Sequence, residues 1–159
     1  MQLIDEPAGL RPRRRVCVGI GVFDGVHLGH QQVLRQTIAD ARRLDASAVA
    51  VTFDRHPSAI VAPERVPPAI QSVHQRLEAI ASLGIDVTWL ITFDEAFSRR
   101  TGEAFARTLA SDLGQLVSIS VGGEFTFGHK RSGNVALLRE LGGKLGFDVH
   151  GLASVSLDG

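Results

Sequence analysis

At 159 residues, 44% of them hydrophobic and 21% charged, the chain is long enough to bury one substantial core and fits a single domain. Its 17 Lys and Arg balance 17 Asp and Glu, which removes the electrostatic case for binding nucleic acid or an acidic membrane surface. The one cysteine, Cys17, rules out an internal disulfide and suits a reducing cytoplasm.

The first fifteen residues, MQLIDEPAGLRPRRR, hold no apolar stretch long enough for a signal peptide or a membrane span. Residues 1–14 read as a flexible flank, with the domain running over 15–159. The run Arg11, Arg13, Arg14, Arg15 lacks the interleaved aromatic residues of a single-strand binding surface and reads as solvated chain. Val16–Val22 is an apolar run of buried-strand type, with Cys17 as a small core residue. The stretch GVFDGVHLGH, Gly21 to His30, follows, and then a helix over Gln31–Leu44.

Strand, glycine-bearing turn and helix together make a phosphate cradle. The free N–H groups of the first helical turn and the positive end of the helix dipole both favour an anion. Gly21 and Gly25 permit a tight turn or a close ligand, and Gly29 removes a side chain where the helix opens. His27 and His30, three residues apart, share a face if both lie in the first helical turn, so that two imidazoles converge on the anion. A lone histidine at a helix start is ordinarily a cap or a surface residue. Here the uncommon choices of Phe23-Asp24-Gly25 followed directly by HLGH favour phosphate chemistry.

Residues 47–53, SAVAVTF, form a second strand. Pro57, Pro63, Pro67 and Pro68 turn residues 54–71 into a long loop. Ser72 caps a helix to Leu83 that Gly84 stops, and 85–93 is a third strand. Thr101 caps a helix over 102–113 ended by Gly114, and 116–121 is a fourth strand. A helix over 132–145 and a strand over 147–153 complete the chain. This alternation predicts an α/β, Rossmann-like, doubly wound five-stranded parallel sheet with helices on both faces. Ligands of such sheets bind beyond the carboxyl ends of the strands, where the winding reverses. FDGVHLGH, TFDRHP, TFDEAF and VGGEFTFG all emerge on that edge.

GVFDGVHLGH resembles the HxGH signature of the nucleotidyltransferase superfamily, a motif that does not choose between adenylyl and cytidylyl transfer. TFDRHP and VGGEFTFGHKRSG, with the LL-containing helix and the GFDV strand after them, are similar to the adenylyltransferase module of prokaryotic FAD synthetases. That module is usually the N-terminal half of a bifunctional riboflavin kinase, and the resemblance runs from Val16 to Gly151. It implies transfer of AMP from ATP to FMN, giving FAD and pyrophosphate, with Mg²⁺ held mainly by the triphosphate and no metal site built from protein residues. His27 and His30 would be the catalytic donors. Gly21, Phe23, Asp24, Gly25, Gly29 and Arg131 would meet the nucleotide, Asp24 as a turn-former or an indirect Mg²⁺ or ribose contact. Phe53, His56, Pro57, Glu124, Phe125 and Phe127 would meet the flavin. Phe125 and Phe127 also suit one face of a strand packed on the core, and both readings stand open at this point.

The chain departs from the family pattern in three places. Arg55 stands where the family commonly has proline, Glu124 where it usually has Asp or Asn, and SVSLDG, Ser154 to Gly159, where it has a serine-rich ISSTRIR-like segment. The last departure reads as a domain shortened at its end, and the implied partner is a riboflavin kinase module in the full-length gene product. Two other functions fit the same cradle: a non-catalytic nucleotide- or flavin-binding domain, and a cytidylyltransferase with another phosphate acceptor.

Overall fold

The apolar runs become strands of one parallel sheet because helices cover both of its faces, which lets a strand be hydrophobic throughout. The computed structural model describes residues 1–10, 14–26, 28–65, 68 and 71–153. The elements are β1 (Gln2–Ile4), β2 (Arg15–Ile20), α1 (Leu28–Arg43), β3 (Ser47–Phe53), the short α2 (Ser58–Val61), α3 (Val73–Leu83), β4 (Val87–Ile91), the short α4 (Glu95–Ser98), α5 (Gly102–Asp112), β5 (Gln115–Gly122), α6 (Val135–Leu145) and β6 (Asp148–Leu152). The strand order is β1-β4-β3-β2-β5-β6, and every neighbouring pair is parallel.

The sheet has six strands where five were expected. The additional strand comes from the flank: Gln2 pairs with Val87 and Ile4 with Trp89, and Ile4 is buried in the core. Three residues of which only the last is buried carry no periodicity, so β1 is defined by the edge of β4 rather than by its own pattern.

The two faces differ in side-chain size. Cys17, Ala48 and Ala50 pack with Val33, Leu34 and Ile38 beneath α1, and Ile80 of α3 joins them. Gly19 brings α1 closer still, since a Cβ there would overlap the Thr37 hydroxyl. On the other face Val18, Ile20, Val49 and Val51 meet Phe105 and Leu109 of α5 and Leu138 and Leu141 of α6. Small residues lie under one helix layer and branched ones under the other, so each layer sits at the distance its side chains set.

The helix ends follow the capping residues. Ser72 and Gln75 form a reciprocal capping box on α3, and Gly84 closes that helix in the left-handed region. Thr101 accepts from Ala104 N–H at the start of α5. α6 starts at Val135, three residues later than expected, because Asn134 is its cap and Gly133 is bridged to Phe127. α1 starts at Leu28, earlier than expected, which puts Gly29 and His30 in its first turn.

From β2 the chain winds outward through β3 to β4, then crosses β2 to reach β5. The reversal therefore falls between β2 and β5, and the crevice beyond their carboxyl ends is where ligands of such sheets bind. No helix among the described residues is long and apolar enough to cross a membrane.

Candidate functional site

The turn after β2 is tightly wound. Phe23 (φ 57°), Gly25 (φ 82°) and Val26 (φ 40°) are all left-handed, and Val26 N–H donates to Phe23 C=O at 3.1 Å. A β-branched residue at positive φ is strained, and such strain persists only where the surroundings enforce it. Burial of the Phe23 ring, 1% exposed, is one enforcing contact. Gly21 makes room for it, since a Cβ on Gly21 would lie 2.7 Å from that ring. Gln31 fastens the other end by donating to Val26 C=O at 3.1 Å.

His30, half-buried in the first turn of α1, meets the Phe23 ring edge-on with centroids 5.5 Å apart. The aromatic contact fixes the imidazole at the positive end of the helix, where the first turn carries no acidic residue to oppose an anion. His27, and with it the expected convergence of two imidazoles, lies outside the described residues, as do Ser154 to Gly159.

Asp24 and Gly25 are clasped from across the edge by Gln71. Its backbone N–H donates to Asp24 Oδ1 at 3.0 Å, and its side-chain oxygen accepts from Gly25 N–H at 3.1 Å. Asp24 thus forms the turn and ties it to the residue before the cap of α3. Beyond β3, Asp54 accepts from Phe93 N–H at 2.9 Å, and Arg55 pairs with Asp54 at 3.6 Å. His56 and Pro57 follow, both half-buried. Phe53 itself is buried, edge-on to Phe93 with centroids 5.6 Å apart.

The loop after β5 supplies the opposite wall. Gly123 N–H donates to Leu152 C=O at 2.7 Å, and Glu124 is exposed in the turn. Phe125 and Phe127 stack with centroids 5.9 Å apart and planes 17° from parallel. Phe127 is 7% exposed and belongs to the core, while Phe125 is half-buried and packs onto it. Lys130 and Arg131 are exposed, successive left-handed residues (φ 54° and 55°). This loop rests against the start of α5: Gly102 N–H donates to Ser132 Oγ at 2.8 Å, and a Cβ on Gly128 would overlap the Gly102 backbone.

Sequence reasoning passed over Arg76. Its side chain is 5% exposed, and its Nη1 donates to Val22 C=O at 3.1 Å, Thr52 Oγ1 at 3.1 Å and Phe53 C=O at 2.5 Å. Burial pulls its pKa down, while Asp24 and Asp54 favour the charged form. The signal was present, since Arg76 lies four residues before the buried Ile80, on the stripe where α3 should be apolar. Cys17 is buried among core residues, and burial pushes its thiol pKa up, which marks it as inert. A cavity of about 730 Å³, lined by Leu10, Ala110, Leu116 and Leu145 among others, lies at the opposite edge of the sheet, remote from the cradle.

A doubly wound parallel sheet with a glycine turn, a helix N-terminus and an imidazole at its switch point defines a Rossmann-like α/β protein whose crevice favours an anion. A family model for FAD synthetase matches residues 11–159, and the chain belongs to that family. It is 33% identical to a bifunctional riboflavin kinase/FMN adenylyltransferase of Haemophilus influenzae, over 99% of this chain and 52% of that protein. A protein of the same name from Buchnera aphidicola subsp. Schizaphis graminum is 32% identical, over 87% of this chain and 44% of its own length. The chain spans about half the length of these curated relatives. A crystal structure described as a macrolide-efflux protein from Streptococcus pneumoniae superposes with a TM-score of 0.83 at 22% identity, covering 99% of this chain and 51% of that one. That likeness concerns the fold alone.

Proposed function

We propose that the chain transfers AMP from ATP to FMN, producing FAD and pyrophosphate. The observation that carries the proposal is the FAD synthetase match over residues 11–159, a span that includes every loop at the switch-point edge. An ionised oxygen of the FMN phosphate attacks the α-phosphorus of ATP. The bond from that phosphorus to the bridging oxygen breaks, and pyrophosphate leaves with the electron pair. No strong base is required, so catalysis consists of alignment and charge stabilisation.

In this reading His27 and His30 donate to the α-phosphate oxygens as charge develops there. Gly21, Phe23, Asp24, Gly25 and Gly29 shape the cradle, and Arg131 offers a guanidinium to the phosphates. On the flavin side, Phe125 is the more open ring of its stacked pair and meets the isoalloxazine, with Phe127 and Phe53 as the packed wall behind. His56, Pro57 and Glu124 border the acceptor. Mg²⁺ would neutralise the triphosphate and orient the leaving group. Mg²⁺ favours phosphate oxygens and water, which suits a metal carried by the substrate. The proposed setting is the cytoplasm, with small-molecule nucleotides as ligands and a riboflavin kinase module in the full-length product as partner.

The test is to incubate the protein with ATP, Mg²⁺ and FMN, follow FAD and pyrophosphate, and repeat with CTP. FAD formation from ATP is the expected result. Tight binding of both ligands without turnover would replace the proposal with a binding domain, and a preference for CTP with a cytidylyltransferase.

A further inference from the structure

Arg76 is a costly residue where it stands. Arg76 is 5% exposed, so its charge loses much of its hydration, and the fourth residue of α3 lies near the positive end of the helix, where a cation is disfavoured. A stem of the same length without charge would pack there at lower cost. What the charge does is visible in its acceptors. Val22 is the second residue beyond β2 and opens the cradle turn, while Thr52 and Phe53 end β3 and open the loop that carries His56. One Nη1 reaches all three, and the Thr52 hydroxyl donates to the same Val22 C=O at 2.9 Å. These bonds form a bracket across the carboxyl ends of two adjacent strands. The aspartates on either side of it, Asp24 and Asp54, are themselves engaged with Gln71 and Phe93 backbone N–H groups.

We propose that Arg76 is a positioning residue for adenylyl transfer, setting the distance between the cradle after β2 and the loop after β3 and so aligning the phosphates of the two substrates. The inference rests on the adenylyltransferase reading above. The bracket also has an electrostatic consequence: the strand-end carbonyls of Val22 and Phe53 direct partial negative charge towards the edge where a triphosphate and an FMN phosphate must come together. A buried cation bonded to both carbonyls offsets that charge without touching either substrate.

The experiment compares wild type with Arg76→Lys and Arg76→Met in steady-state FAD formation, with thermal melts of each. Arg76→Lys keeps the charge but lacks the planar fork. It is expected to melt as one transition close to wild type and to lose about 10- to 100-fold in kcat, since a misplacement of ~1 Å costs that much. Its KM values for ATP and FMN should change by less than roughly three-fold, because each substrate's own contacts remain. Arg76→Met is expected to lose at least as much, and if it fails to fold Arg76→Lys decides. Wild-type kcat in Arg76→Lys overturns the inference, as does a loss no greater than its loss of folded protein. A wild-type chain that makes no FAD overturns the adenylyltransferase reading and the catalytic part of the inference with it, leaving only the claim that Arg76 sets the spacing of the two loops. The bracket is then decided by imidazole NMR: the signals of His30 and His56 shift in Arg76→Lys relative to that of the exposed His74 if it holds, and stay in place if it does not.

Discussion

His30 sits in the first turn of α1 with the buried ring of Phe23 at its edge. In the proposed reaction, truncation to alanine removes a donor to the α-phosphate. His30→Ala is therefore expected to lower kcat about 10²- to 10³-fold, the usual loss for one charge-stabilising donor, with a melting temperature close to wild type. His27→Ala should behave alike, and a variant that unfolds would mark its histidine as structural. Cys17 makes the opposite case. Burial raises its thiol pKa above the ordinary 9.0, so the folded state favours the neutral thiol. Its contribution to stability is present in full below the ordinary value and is lost as pH rises past it towards the raised one. The native protein should resist alkylation by iodoacetamide at pH 8 and react on unfolding, while Cys17→Ala should flatten the loss of stability above pH 9. Rapid alkylation of the native state would contradict that placement.

At the scale of elements, the loop after β5 and the start of α5 are joined by glycines with no space for a side chain. A Cβ on Gly102 would overlap the Gly133 backbone, and Gly102 N–H already has its partner in Ser132 Oγ. Gly102→Ala must push the two segments apart. It is expected to cost about 1 to 3 kcal/mol, the usual penalty for overpacking a filled site, read as a lower denaturation midpoint. FMN affinity should fall with it, because Phe125 and Phe127 lie on the displaced loop; unchanged affinity would separate this loop from the flavin. The short α2, within the proline-rich stretch 54–71, was unforeseen, since four residues are too few to show a period.

For the whole molecule, the winding order separates stability from chemistry. β1 lies at the far edge, with β4 and β3 between it and β2. Ile4 is 6% exposed in the core, and Ile4→Ala should destabilise by about 2 to 4 kcal/mol. FAD formation well below the melting temperature should be unchanged, and a specific loss of kcat at that temperature would show that the edge strand reaches the site.

Five of the six strands and the four long helices could be read along the chain, because a strand buried on both faces and a capped amphipathic helix each leave a local pattern. Ser72, Thr101 and Gly84 mark helix ends through bonds spanning a few residues, and the cradle was legible in the same way, since turn, glycines and His30 lie within ten positions. The remainder depended on partners distant in sequence. β1 exists because β4 offers an unpaired edge, Gln71 meets Gly25 across 46 positions, and Arg76 meets Val22 across 54. Phe125 and Phe127 have the same spacing whether they line a strand or a binding wall, and only the packing of Phe105 against Phe127 distinguished the core ring from the more open one. Local sequence specifies conformations that short-range bonds can close, whereas a bracket between two strands acquires its meaning only once the crossovers have placed those strands side by side.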